Sequence, residues 1–317
     1  MKITEHIKQA NKTLLSFEIL PPLKGEHFEH LEANISELLN YNPAFIDVTY
    51  HQQEVEYREL PDGKLEKKTV RKRPGTVGIS AAIQYKTHTD VVPHLICGGF
   101  SKEDTENALI DLHFLGINNL LIIRGDPVSN QKYFVPEPEG HTHALGLVKQ
   151  VADLNKGIYL DDELLNNHPT DFCIGVAGYP EKHSEAANAQ IDLKNLKDKI
   201  DAGAEYIVTQ MFFDNQKYFD FVDACRNIGI TVPIIPGIKA LSTKRQLMIL
   251  PQTFHIDLPE ALVKEALKCK TNAATRELGI EWAIMQSKEL MERGAPVLHY
   301  YTMGKSDNIE RIVKAVF

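Results

Sequence analysis

The chain has 317 residues, 43% of them apolar and 25% charged, proportions of a globular protein with a large core and not of a disordered or fibrous one. Its 35 basic and 43 acidic side chains leave a formal charge of −8, which excludes broad non-specific nucleic-acid binding, because that depends on neutralising phosphates. Cys97, Cys173, Cys225 and Cys269 lie dozens of residues apart with no C-x-x-C pair, so they read as reduced packing residues, and no metal is expected.

The opening segment, MKITEHIKQANKTLLSF, carries charges throughout and has no apolar core of signal-peptide length. No stretch approaches the roughly 18 apolar residues of a membrane span. A cytoplasmic protein without membrane contact is the expectation. Short apolar or β-branched runs then recur: Leu14–Ile19, Phe45–Thr49, Val92–Ile96, Leu120–Ile123, Phe172–Ala177, Tyr206–Met211, Val232–Ile235 and Val297–Tyr301. Helix-period segments alternate with them. Phe28, Leu31, Ile35, Leu38 and Leu39 share one face, as do Ala189, Leu193, Leu196 and Ile200. Alternation of this kind is the signature of a parallel sheet, and eight strand signals predict an α/β fold, a closed (β/α)8 TIM barrel spanning 1–317 as a single domain. Two stretches break the rhythm: 51–75, polar and basic, and 127–141, which holds Pro127, Pro136, Pro138 and Gly140. Both read as excursions after strands, the first hairpin-like. No repeat or low-complexity linker marks a boundary.

Familiar motifs are missing. No G-x-G-x-x-G follows a strand, so a dinucleotide would bind without the Rossmann fingerprint. Met303-Gly304-Lys305-Ser306 resembles the end of a P-loop, but His299 stands where the first glycine belongs. The basic run Lys67–Arg73 sits among acids and reads as a solvated surface, and His141 and His143 have no further ligand at metal-binding spacing.

Polar residues at strand ends remain. Barrel enzymes assemble their sites at the C-terminal mouth, where the ends of different strands converge. Glu18 ends strand one before Pro21-Pro22, Thr49 ends strand two, His94 lies in strand three, and Arg124-Gly125-Asp126 end strand four. Tyr179 and His183 follow strand five and Gln210 follows strand six. A carboxyl in an apolar strand titrates upward when desolvated, as a general acid near neutral pH requires, and Glu18 is the first candidate. The bland alternative is that Glu18 pairs with a neighbouring strand's base and that Arg124 and Asp126 form an ordinary loop ion pair. Lys239, after strand seven, opens another alternative, a Schiff-base aldolase. A barrel that binds flavin or folate without turnover is a third.

Ser16-Phe17-Glu18 with Pro21-Pro22, Pro93-His94-Leu95, Arg124-Gly125-Asp126, Tyr179-Pro180-Glu181 with His183, Thr209-Gln210 before two phenylalanines, and Ile234-Ile235-Pro236-Gly237-Ile238, in this order, closely resemble the methylenetetrahydrofolate reductases. The similarity runs from about residue 14 to residue 305. It implies a barrel holding FAD non-covalently, hydride from NADH or NADPH in ping-pong fashion, and reduction of 5,10-methylenetetrahydrofolate to 5-methyltetrahydrofolate for methionine synthesis. Glu18 then matches the general acid and Asp126 a carboxylate between flavin and pterin. Thr49, His94, Arg124, Gly125, Asp126, His143, Ala144, Tyr179, His183, Asp192 and Lys199 match positions lining FAD. Gln210, Gln246, Leu250 and Lys305 match folate-contacting positions, with Leu250 where a phenylalanine can stand and Lys305 where an arginine can. The resemblance also implies a homo-oligomer.

Overall fold

A computed structural model describes residues 1–128, 131, 133–304 and 306–317. Eleven strands appear among them: β1 (Leu14–Ile19), β2 (Phe45–Val48), β3 (Glu54–Glu59), β4 (Leu65–Val70), β5 (Asp90–Ile96), β6 (Asn119–Ile123), β7 (Cys173–Gly178), β8 (Tyr206–Thr209), β9 (Ile234–Ile235), β10 (Gly237–Ile238) and β11 (Val297–Tyr301). The helices are α1 (Ile3–Gln9), α2 (Phe28–Leu39), α3 (Thr76–Thr87), α4 (Lys102–Phe114), α5 (Ala144–Leu154), α6 (Ala189–Asp201), α7 (Asn215–Asn227), α8 (Gln246–Phe254), α9 (Glu260–Lys268), α10 (Asn272–Glu292) and α11 (Asp307–Val316).

Nine strands form one parallel sheet in the order β10-β11-β1-β2-β5-β6-β7-β8-β9. Its two ends are halves of one stave. Pro236 has no N–H to give a ladder, so the seventh stave divides around it. Ile234 and Ile235 pair with β8, and Gly237 and Ile238 with β11. The Pro236 carbonyl accepts from the His299 N–H at 3.1 Å, which carries the pairing across the break. The result is the eight-staved barrel that the strand count predicts. Gly237 is required there, because a Cβ at this position would lie 2.3 Å from the Thr209 carbonyl and 2.6 Å from the Tyr301 ring.

The period of two along each strand sorts the side chains. Phe45, Val92, Leu121, Cys173, Tyr206, Val208, Ile235 and Val297 meet Ile3 of α1 in one cluster that fills the lumen. Phe17, Ile46, Val91, Leu120, Ile122, Ile174, Val176, Ile207, Leu298 and Tyr300 face the helices, meeting Leu31, Ile35 and Leu38 of α2 and Leu196 of α6. The parity that sends Phe45 and Val297 inward also sends in Asp47, His299 and Tyr301, and in β1 it aligns Ser16 with His299 and Glu18 with both Asp47 and Tyr301. The lumen is therefore apolar low down and polar at the C-terminal mouth. The excursion after β2 is an antiparallel hairpin, β3 with β4, from Glu54 opposite Val70 to Glu59 opposite Leu65. The chain from Ile123 to Ala144 joins β6 to α5.

Candidate active site

The strand-end residues singled out in the sequence lie toward the C-terminal mouth, most of them in two adjoining groups, with Asp126 and Gln210 apart from both.

The first group sits in the lumen. Glu18 is 12% exposed and its carboxylate makes no hydrogen bond among the described residues; its nearest base is His94 Nε2 at 3.8 Å. Burial raises its pKa to about 7, with His94 and Lys239 pulling it down and Asp47 pushing it up. The carboxyl is thus poised to hold and give a proton near neutrality. His94 donates from Nε2 to the fully buried Asp47 at 3.2 Å. Burial alone would depress the imidazole, but the Asp47 bond and the charges of Glu18 and Asp47 outweigh it, so its pKa rises. The second Asp47 oxygen has no partner among the described residues, and neither does His299 Nε2. His299 Nδ1 shares a 2.9 Å hydrogen bond with Ser16 Oγ. Tyr301 donates to the Thr209 carbonyl at 2.7 Å. The Thr302 hydroxyl, donating to the Glu18 carbonyl at 2.7 Å, ties the end of β11 to β1.

The second group lies on the rim over β6 and β7. Arg124 grips Glu185 with two parallel N–H donors, one at 2.7 Å, and its guanidinium lies over Phe134, 4.9 Å from the ring centre. Gly125 follows with φ +87, the left-handed region where glycine is favoured. Tyr179 and His183 meet edge to face at 4.7 Å. Asp192 and Lys199, seven apart on α6, both face this group. Asp192 accepts from the His183 N–H at 2.9 Å, and Lys199 donates to the Ala177 carbonyl at 3.0 Å. Asn188 caps α6 by accepting from the Ile191 N–H, which fixes the helix start. Burial lowers the Lys199 pKa to about 8 against the pull of Asp192. His143 and Ala144 open α5, and His143 acts electrostatically on Glu185, so it belongs to this rim. Thr49 donates its hydroxyl to the Ile19 carbonyl at 3.2 Å, at the foot of the hairpin.

Asp126 is exposed at the mouth, and its carbonyl accepts from Gln52 at 2.6 Å. Gln210 and Gln246 use their side-chain oxygens on backbone N–H groups: Gln210 on Met211, Gln246 on Ser242 and Thr243. Neither amide nitrogen has a partner among the described residues, which leaves donors for a ligand. Leu250 is buried against Met211, Phe213 and Leu241. Lys305 lies outside the described residues.

The bland alternatives of the sequence are not what forms. Among the described residues Glu18 has no arginine or lysine within 4 Å, and Arg124 pairs with Glu185 instead of Asp126. Sequence reasoning passed over Asp47, His299 and Glu185. The first two were detectable, since each lies two residues from a lumen-facing neighbour; Glu185 gave no signal.

A donor set of this kind suits a dinucleotide. Lys199 keeps two ammonium hydrogens beyond its one carbonyl bond, the ion pair of Arg124 among the described residues is to a half-exposed carboxylate that a diphosphate can displace, and Gly125 adds no side chain at the rim.

Known proteins bear on the same residues. The sequence model of the methylenetetrahydrofolate reductase family matches residues 2–316. The 5,10-methylenetetrahydrofolate reductase of Salmonella typhimurium is 33% identical over 298 residues, covering 92% of this chain and 87% of that protein. Methylenetetrahydrofolate reductase (NADH) 1 of Arabidopsis thaliana is 32% identical over 316 residues, covering 96% of this chain and 48% of its own length. The chain thus spans about half the length of its plant relatives. An uncharacterized protein from Clostridium thermocellum that binds two copies of 5-methyl-5,6,7,8-tetrahydrofolic acid shares the fold, with a TM-score of 0.57 at 14% identity over 98% of this chain and 96% of the other. With the family's motifs gathered at one mouth, and a match running almost end to end, the chain belongs to the methylenetetrahydrofolate reductase family.

Proposed function

We propose that this chain, working as one barrel from residue 1 to 317, reduces 5,10-methylenetetrahydrofolate to 5-methyltetrahydrofolate with non-covalent FAD and NADH or NADPH, in a ping-pong sequence that supplies methyl groups for methionine synthesis in the cytoplasm. Family membership supports the reaction. The observation that carries the mechanism is Glu18, a carboxyl 12% exposed, without a hydrogen bond among the described residues, and with its pKa raised to about 7 by burial.

Bound FAD supplies hydride transfer. Arg124 and Lys199 offset its diphosphate, and Tyr179, His183, Asp192, Thr49, His94, Gly125, His143 and Ala144 complete the lining. Gln210 and Gln246 offer amide donors to the pterin, Leu250 gives it an apolar wall, and Lys305 meets the folate tail. Glu18 gives its proton to N10: the carboxyl O–H breaks, an N10–H forms, and the bond from N10 to the one-carbon unit opens, leaving a 5-iminium cation. The Asp126 carboxylate at the mouth stabilises that cation. A homo-oligomer belongs to the same reading, and light scattering tests it.

The test is spectral. The purified protein is expected to be yellow, to bleach with NADH or NADPH, and to regain colour on adding methylenetetrahydrofolate; absence of flavin, or no reoxidation by the folate, overturns the assignment. Converging instead of parallel initial-rate plots would remove the ping-pong sequence alone. A positioned acid contributes about 10² to 10⁴ in rate, so Glu18→Gln is expected to slow reoxidation by at least about 10² while bleaching by NADH survives. Equal loss in both half-reactions would make Glu18 a structural residue.

A further inference from the structure

We propose that Lys239 is a positioning residue for the acid step: its ammonium faces the lumen beside Glu18 and stabilises the carboxylate that proton transfer leaves there. The inference deepens the proposed function and rests on it.

Strand parity places the side chain. Ile235 belongs to the lumen cluster and Ile234 and Ile238 to the outer one, and a Cβ on Gly237 would run into the lumen-facing Tyr301. Lys239 is the next residue in the inward series. It is 5% exposed and has no hydrogen bond and no carboxylate within 4 Å among the described residues, although Glu18 acts on it electrostatically. An ammonium buried without a partner costs several kcal/mol; a negative charge that appears during turnover gives it one.

The other groups around Glu18 each carry a hydrogen bond, although Asp47 and His299 both keep one buried atom without a partner among the described residues. From β2, Asp47 accepts from His94 of β5. From β8, Tyr206 donates to the Leu120 carbonyl at 2.9 Å. From β11, Tyr301 donates to Thr209, and His299 is bonded to Ser16. Glu18 and Lys239 act on each other electrostatically, and neither side chain has a hydrogen bond among the described residues. When the Glu18 O–H breaks and N10 takes the proton, the electron pair stays on the carboxyl oxygens, and the charge is born next to the ammonium. No electron changes hands in this step. Burial lowers the Lys239 pKa to about 8, and Glu18 raises it once ionised, so the ammonium is favoured as the proton leaves Glu18.

The experiment follows reoxidation of the NADH-reduced, FAD-loaded enzyme by methylenetetrahydrofolate across pH, in the wild type, Lys239→Met and Lys239→Arg. The wild-type rate is expected to fall as Glu18 ionises around pH 7. In Lys239→Met the limb moves up by about 0.5 to 1 pH unit and the plateau drops about tenfold, while Lys239→Arg keeps the limb in place. An unmoved limb in Lys239→Met, or equal loss of bleaching and reoxidation, overturns the inference, as does trapping of Lys239 by borohydride with a carbonyl compound. If Lys239→Met fails to hold flavin, infrared titration of the Glu18 carboxyl in the ligand-free proteins reads the same shift. Failure of the wild type to reoxidise at all is a different result, and it removes the functional reading together with this inference.

Discussion

Two glutamates at the same mouth face cations and end in opposite states. Glu185 is half exposed, and the Arg124 fork holds its pKa below the usual carboxylate range; Glu18 is 12% exposed and sits at about 7. Burial makes the difference, since water offsets the charge of one and not of the other. Glu185 holds the guanidinium that, in the proposed function, offsets the diphosphate. Exposed pairs of this kind are worth about 0 to 1 kcal/mol, so Glu185→Ala is expected to tighten FAD binding by up to about fivefold, measured by fluorescence titration of the apoprotein; weaker binding would mean that Glu185 helps hold the cofactor. Glu18 was legible in the sequence because an acid inside an apolar run breaks a local rule. Asp47 breaks the same rule in Phe45-Ile46-Asp47-Val48, but Thr49 at the strand end drew the attention, and the bond to His94 joins residues 47 positions apart. Glu185 sits in an exposed loop where an acid is ordinary, and only the fold brings it to Arg124.

At the level of elements, strands and helices followed from periodicity, whereas the way the barrel closes did not. Pro236 is visible in Ile234-Ile235-Pro236-Gly237-Ile238, but the change of partner from β8 to β11 across it depends on strands that the sequence keeps far apart. The hairpin was legible as a polar, charged excursion between strands, and its anchoring was not. Arg71 donates to the Tyr50 hydroxyl at 2.9 Å, Arg73 to the Pro21 carbonyl, and Gln52 to the Asp126 carbonyl. The first closes the base of the β3–β4 excursion on itself, and the other two join it to the loops after β1 and β6, although no residue of β3 or β4 is buried. Replacing 54–70 by a short turn is therefore expected to shift Tm by no more than about 4 °C, and a larger loss by circular dichroism would show that the hairpin supports the barrel. α10 behaves differently. Gly279 packs so closely that a Cβ would lie 1.8 Å from the Leu241 carbonyl, and the segment it presses on carries Lys239 and Gln246. Gly279→Ala is expected to cost at least about 2 kcal/mol in denaturant unfolding, with poorer folate binding; an unchanged midpoint would mean that α10 can slide.

For the molecule as a whole, placing an unpartnered carboxyl in the lumen affects stability with a definite sign. An ordinary glutamate titrates at 4.5, and Glu18 in the folded protein at about 7, so the folded state binds its proton more tightly. Its contribution is complete below about pH 4.5 and is lost as pH rises through about 7, amounting to roughly 3 kcal/mol at most. Glu18→Gln, unable to ionise, is expected to raise the unfolding free energy of the ligand-free protein by up to that amount at pH 8 and to leave it nearly unchanged at pH 4. A gain that did not grow with pH would contradict this. Such a trade is common where a site needs a group that the fold would otherwise avoid.

The register that sets Glu18 beside Tyr301 joins the first barrel strand to the last one. During synthesis, at about 5 to 20 residues per second, β1 leaves the ribosome many seconds before β11 exists. Without β11 the mouth has no Tyr301 beside Glu18 and lacks the enclosure that raises its pKa. Its raised proton affinity thus depends on closure of the barrel, and a barrel whose last strand has come loose is expected to reveal itself through a carboxyl that titrates normally.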